Sequence, residues 1–232
     1  MSSLVRKIVA GVIVIALGVV GGPWVYINLI KDDAPDALTL EASSTTVAVT
    51  TDITEAPSTS DVEGEWVATS ESVVGYRVKE ILFGQSTEGV GRTNAVTGSL
   101  VIADSTVTSA IFSVDMGTLT SDSDRRDRQV SGRILDVASF PTATFELTEP
   151  IVLTPAALDG AELSVTVAGT LTLRGVTKQV SIPLVAKLVD GKVSVNGSLE
   201  IVFAEWSIPD PSISAIVVED RGLLEFLIVF SR

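Results

Sequence analysis

Four arginines fall within nine residues of this 232-residue chain: Arg125, Arg126, Arg128 and Arg133, in the run RRDRQVSGRILDVASFPTATFEL. Clustered guanidinium groups can hold a phosphate or steady a developing anion. Here, however, Asp122, Asp124, Asp127 and Asp136 are interleaved with them. The patch is close to neutral and a poor surface for phosphate or nucleic acid. A second arrangement with chemical potential is Glu205 with Asp210, a carboxylate pair of the kind hydrolases use. Pro209 and Pro211 flank Asp210, which points to a solvated loop instead. The chain has no His and no Cys. That removes the usual general base, the usual zinc ligand, thiol catalysis and disulfides. A non-enzymatic role without metal or cofactor is therefore the leading expectation.

The elements that must position these residues divide by charge. The formal net charge of −13 argues against a nucleic-acid partner. Residues 1–31 carry Arg6, Lys7 and Lys31 and no acid, residues 32–63 carry eight acids and no base, and residues 64–232 carry 13 bases and 21 acids. The first block contains an uncharged run from Ile8 to Ile30, about 35 Å long as a helix and enough to span a bilayer core. Trp24 and Tyr26 suit an interfacial belt near its end, and the preceding Arg6 and Lys7 place the N-terminus inside. A cleaved secretory signal is the alternative, but the apolar run is long for one and no A-x-A site follows. Either way the remainder is exported, and a single-pass anchor in the cytoplasmic membrane with an extracytoplasmic domain is expected. Residues 32–63, rich in Thr, Ser, Asp, Ala and Pro, read as a disordered acidic linker.

From about residue 64 the pattern has the period of two that marks half-buried strands. Val74, Tyr76 and Val78 form one such row, Ala110, Phe112, Val114 and Met116 another, and Leu163, Val165 and Val167 continue past Gly169 to Leu171 and Leu173. Further rows are Val180, Ile182 and Leu184, then Leu199, Ile201 and Phe203, then Leu224, Phe226, Ile228 and Phe230. Asp159-Gly160, Arg174-Gly175 and Asp190-Gly191 separate candidate strands as two-residue hairpins. Asn196-Gly197 reads as a turn or bulge. The expectation is an all-β, antiparallel, about eight-stranded barrel, a size that can hold one small ligand. The arginine run fits a structural connector: a short helix over 124–130, capped by Ser123 or Ser121. Pro141 then holds Phe140 extended, and Phe140 and Phe145 turn inward.

Three stretches together resemble the YceI-like family. Thr120, Arg126-Asp127, Asp136, Phe140-Pro141 and Thr144-Phe145 look like its T…RD…FD…YP…F run. Gly169, Leu171, Gly175, Val176, Thr177 and Lys178 match its G-x-L-x-x-x-G-V-T-K strand pair, and Trp66, Ser72, Tyr76, Val78 and Lys79 match its opening W…S…F-x-V-K. Departures are Glu80 where the family often has His, Ile134-Leu135 where an aromatic usually precedes Asp136, and Phe203 and Ser207 at an Arg and a Gly. The resemblance covers most of residues 64–232.

It implies an extended lipocalin-like barrel that sequesters or transfers a long isoprenoid, such as a quinone tail or a polyprenyl carrier. The Phe203 departure points to a neutral ligand end. Tyr76, Phe112, Phe145, Leu171, Leu173 and Phe226 are the expected pocket walls, with Phe140 and Trp206 at the mouth. Arg126, Asp127, Asp136, Pro141, Gly175 and Thr177 are expected to be structural. The apolar rows agree with a lined barrel, but alternation alone fits equally a filled one, which would make the module a protein-binding scaffold.

Overall fold

The computed structural model describes residues 25, 34–40, 62–213 and 216–232. The expected span over 8–30 lies outside the described residues apart from Val25, and so does most of the linker. Among the described residues no helix is long and apolar enough to cross a membrane.

Thirteen strands run in chain order among the described residues. They are β1 (Gly64–Ala68), β2 (Val73–Leu82), β3 (Gln85–Thr93), β4 (Val96–Ala103), β5 (Thr106–Asp115) and β6 (Thr120–Ser121). Then come β7 (Thr142–Leu147), β8 (Ile151–Val152), β9 (Leu163–Leu173), β10 (Val176–Val189), β11 (Lys192–Val202), β12 (Ile216–Val218) and β13 (Arg221–Ser231). Eight of them, in the order β1-β4-β5-β7-β9-β10-β11-β13, form a closed antiparallel barrel, because β13 returns to β1 through Val67↔Ser231 and Ala68↔Phe230. Strand β13 also pairs with β2 over Leu223–Leu227, and β2 pairs with β3 and β12, with β6 on β3, so that the inward face of β2 continues the cavity wall. The apolar rows read from the sequence become the inward faces. Leu224, Phe226, Ile228 and Phe230 alternate inward along β13, and Leu171 and Leu173 do so along β9.

Four hairpins turn through two residues with φ positive at both: Phe83-Gly84, Asp104-Ser105, Arg174-Gly175 and Asp190-Gly191. Two of these were expected from the sequence. Asp159-Gly160 is no hairpin; it ends a helical turn in the β8–β9 connection, the second helix after one over the arginine run. That earlier helix, α1, is Asp124–Gln129, and the later turn, α2, is Pro155–Leu158. Asn196-Gly197 is neither turn nor bulge but lies inside β11, paired with Leu227 and Phe226.

Two apolar clusters fill opposite ends of the barrel. One gathers Trp66, Leu100, Val107, Leu158 and Phe230, and the other Val130, Leu171, Ile201, Phe203 and Trp206. Both are built within residues 62–230, so the barrel has its own cores and constitutes a self-sufficient folding unit. The segment 34–40, assigned to the linker by composition, lies against the outer wall. Arg77 Nη2 donates to the Pro35 carbonyl at 2.6 Å, Asn196 Nδ2 to the Leu38 carbonyl at 2.9 Å, and Arg92 to the Asp36 carbonyl. Beneath it, the buried Glu225 carboxylate is clamped by Arg77 at 3.2 Å and Arg92 at 2.8 Å. Composition reads the sum of a segment's side chains, whereas this contact is made by backbone carbonyls that any sequence possesses.

Candidate functional site

The two end clusters are linked along the wall by Met116, which packs against both. Between them an apolar cavity of about 1050 Å³ runs through the barrel, bordered by both. Small-molecule pockets commonly measure about 300–1,000 Å³, so this lumen lies just above that range.

The lumen stays open because several inward aromatic rings lie over glycines instead of projecting across it. Phe226 faces Gly197, Phe112 faces Gly98 and Tyr76 faces Gly91 as cross-strand partners, and Phe145 lies over Gly169. A Cβ on Gly197 would stand 2.6 Å from Phe226 Cζ, and one on Gly98 would stand 2.8 Å from Phe112 Cδ1. Only the missing side chain lets each ring settle flat on the wall. Phe112 and Phe145 stack with centroids 6.3 Å apart, and Phe112 and Phe230 tilt together at 5.6 Å. These contacts fix the rings to one another and to the sheet.

One end of the cavity is polar. Glu80 stands on the inward face of β2, buried, with Arg126 Nη2 at 3.0 Å and the Thr87 hydroxyl donating at 3.2 Å. Arg126 also pairs with Asp122. Burial opposes the charge on Arg126, but Glu80 and Asp122 outweigh it and raise its pKa. This places part of the arginine run on the cavity lining rather than in a purely structural connector: Asp122, Ser123, Arg125, Arg126 and Gln129 all border it. Helix α1 begins as expected, with the Ser123 hydroxyl accepting from Arg126 N. Asp127 locks its base by accepting from the Ser121 amide at 2.9 Å and hydroxyl at 2.6 Å.

Tyr76 presents its ring to the lumen while its hydroxyl is tucked out of solvent, without a hydrogen-bond partner. The nearby Ser121 hydroxyl is committed to Asp127. Burial pushes the phenol up to about 12, partly countered by Arg126.

All six residues expected on the walls border the cavity: Tyr76, Phe112, Phe145, Leu171, Leu173 and Phe226. The two expected at the mouth do not. Phe140 packs over Gly175 with Arg174 stacked on it at 6.0 Å, because the turn that follows the helical segment Val130–Ile134, closed by Phe140 N donating to the Asp136 carbonyl, sets its ring against that glycine. Trp206 is buried in the end cluster with Lys178 over its ring at 5.4 Å. The remaining motif residues act in the scaffold. Gly175 makes room for Phe140, the Pro141 carbonyl accepts from Met116 N, the Asp136 carbonyl accepts from Phe140 N, and the Thr177 hydroxyl meets that of Thr172 at 2.9 Å. Glu205 and Asp210 serve different neighbours. Glu205 pairs with Lys178 at 2.9 Å, and Asp210 accepts from Ser212 N at 2.8 Å; the Ser212 hydroxyl first, then its amide, lower the Asp210 pKa. No cluster able to hold a metal occurs among the described residues.

Phe83 and Arg125 border the cavity while being exposed to solvent, and Gln129, Pro211 and Ile213 border it half-buried. Sequence reasoning missed both this group and the Glu80–Arg126 pair. The signal for Glu80 was present: it continues the inward row Val74, Tyr76, Val78, where a charge has no place without a partner.

Solved structures with the same fold include a polyisoprenoid binding domain from Saccharophagus degradans implicated in plant cell wall breakdown. It is 17% identical at a TM-score of 0.57, covering 73% of this chain and 98% of its own. BcnA of Burkholderia cenocepacia is 20% identical at a TM-score of 0.52, covering 69% and 96%. No curated protein matches the chain. Residues 66–230 match the YceI-like domain from the first barrel strand to the last, and the chain accordingly belongs to the YceI-like domain family.

Proposed function

We propose that the barrel binds a long isoprenoid lipid in its lumen, to sequester it or pass it on. The observation that carries this reading is the continuous apolar cavity of about 1050 Å³, held open by rings seated on glycines. A flexible apolar chain is the ligand class that suits such a space. Each buried methylene contributes about 0.8 kcal/mol, so a few isoprene units offset the cost of association. The similarity to a domain described as polyisoprenoid binding supports the same class. At the polar end, Arg126 is already engaged by Glu80 and Asp122. A diphosphate would meet those carboxylates, so the ligand end is neutral, a quinone ring or an alcohol.

The membrane-tethered, extracytoplasmic form of the proposal draws its support from the uncharged run 8–30 and the basic residues before it. A scaffold with a filled barrel requires opposing walls to mesh, and the open lumen counts against it.

Native mass spectrometry of residues 34–232 purified from the host tests the reading. The expected result is a co-purifying prenyl lipid released on denaturation. A barrel that arrives empty and takes up no prenyl quinone or polyprenol overturns it.

A further inference from the structure

The hairpin between β2 and β3 breaks a local rule. Its first turn residue is Phe83 at φ 50°, followed by Gly84 at φ 83°. The other three turns of this kind begin with Asp104, Arg174 and Asp190. Left-handed backbone suits Gly, Asn and Asp, and a bulky aromatic there is an outlier. Phe83 obtains little packing in return, since 54% of it is exposed. A residue that is unfavourable for its turn and unburied by its fold points to something outside the fold.

Its neighbours extend the pattern. Ile81 and Val217 are cross-strand partners on β2 and β12 and are 48% and 58% exposed. The tip is also continuous with the lumen, because Leu82 and Phe83 border the cavity, as Pro211 and Ile213 do. An apolar ligand entering there would pass from Phe83 to Leu82 and on to the apolar walls, alongside the Glu80–Arg126 pair. Arg125 also borders the cavity and is exposed, free to meet lipid phosphates.

We propose that Phe83, with the Ile81–Val217 pair, inserts into the surface of a lipid bilayer, so that a chain lipid moves between bilayer and lumen through the adjoining mouth. The occupant is a bilayer because that is where a water-insoluble chain is stored, and because Phe83, at the tip of the patch, borders the space that would receive it. The inference rests on the lipid-binding reading of the lumen.

The test uses residues 34–232, the self-contained barrel with its docked segment, and the variant Phe83→Asn. Asparagine suits the left-handed turn better than phenylalanine, so the variant keeps the hairpin while losing the ring. Flotation with phosphatidylcholine vesicles should show wild type bound and the variant weaker by about tenfold, the loss expected for one inserted aromatic side chain. Uptake of a fluorescent polyprenol from those vesicles should slow in parallel, while affinity for the same probe in detergent micelles stays equal. Equal vesicle binding and equal uptake by the two proteins overturn the proposal. So does a wild type that never floats, and a dimer abolished by Phe83→Asn would then assign the patch to a second copy of the chain. Floating without uptake from either source leaves the docking intact and refutes the lumen reading instead.

Discussion

The ring of Phe226 lies over Gly197, its partner across the β11–β13 ladder, at a spacing no Cβ could share. The same arrangement recurs around the wall with Phe112, Tyr76 and Phe145, each seated above a glycine. In a barrel of eight strands the interior is narrow enough for side chains to fill. Here the largest ones are folded back onto bare backbone, and the space they would have occupied remains.

Replacing Gly197 with Val should therefore harm the protein even though Val suits a strand better than Gly. The added Cβ collides with Phe226 Cζ, and the ring must swing into the lumen. Overpacking of this kind costs about 1–3 kcal/mol. Urea unfolding should show that loss, and the same variant should bind a prenyl probe more weakly. Unchanged stability would mean the ring has somewhere else to go.

Tyr76 offers a spectroscopic reading of the interior. Of the two tyrosines in the chain, Tyr26 and Tyr76, only Tyr76 lies in residues 34–232. Near-ultraviolet absorbance of phenolate should titrate at about 12 in the folded barrel, against 10.0 for an ordinary tyrosine, because burial disfavours the charged form. The sign follows from the fold's preference for the neutral phenol. Its contribution is intact below pH 10 and is lost as the pH rises from 10.0 toward about 12, an effect of up to about 3 kcal/mol. An ordinary midpoint in the folded protein would show that the hydroxyl is solvated.

The segment 34–40 should stabilise the barrel from outside. Residues 62–232 lack the carbonyl acceptors that Pro35, Asp36 and Leu38 offer to Arg77, Arg92 and Asn196. At about 0.5–1.5 kcal/mol for each net hydrogen bond, residues 34–232 should be more stable than 62–232 by about 2 kcal/mol in denaturant titration. Equal midpoints would show that the segment does not dock.

Much of this was legible in the sequence. Alternation in β2, β5, β9 and β13 places Tyr76, Phe112, Leu171 and Phe226 on one face, and a closed sheet turns that face inward. What alternation cannot convey is whether opposing rows touch. That depends on which inward positions are glycine and which rings cross to them, a cross-strand register that links Gly197 to Phe226 over many intervening residues. The mouth was misplaced for a related reason. Phe140 and Trp206 are large aromatics near strand ends, but Gly175 accommodates the first and the end cluster takes in the second. Phe83 was overlooked because a phenylalanine carries no turn signal, and its left-handed backbone is visible only in three dimensions.

The central claim is that the open lumen holds the lipid, and filling the lumen tests it most directly. Ala110 is buried on the cavity wall, whereas its neighbour Ser109 points outward and is exposed. Delipidated residues 34–232 should bind one polyprenol per barrel. Ala110→Trp, checked for retained fold by circular dichroism, should lose that binding, and Ser109→Trp should keep it. Equal binding by a folded Ala110→Trp barrel would contradict the account, because the lipid would then have to sit somewhere other than the interior.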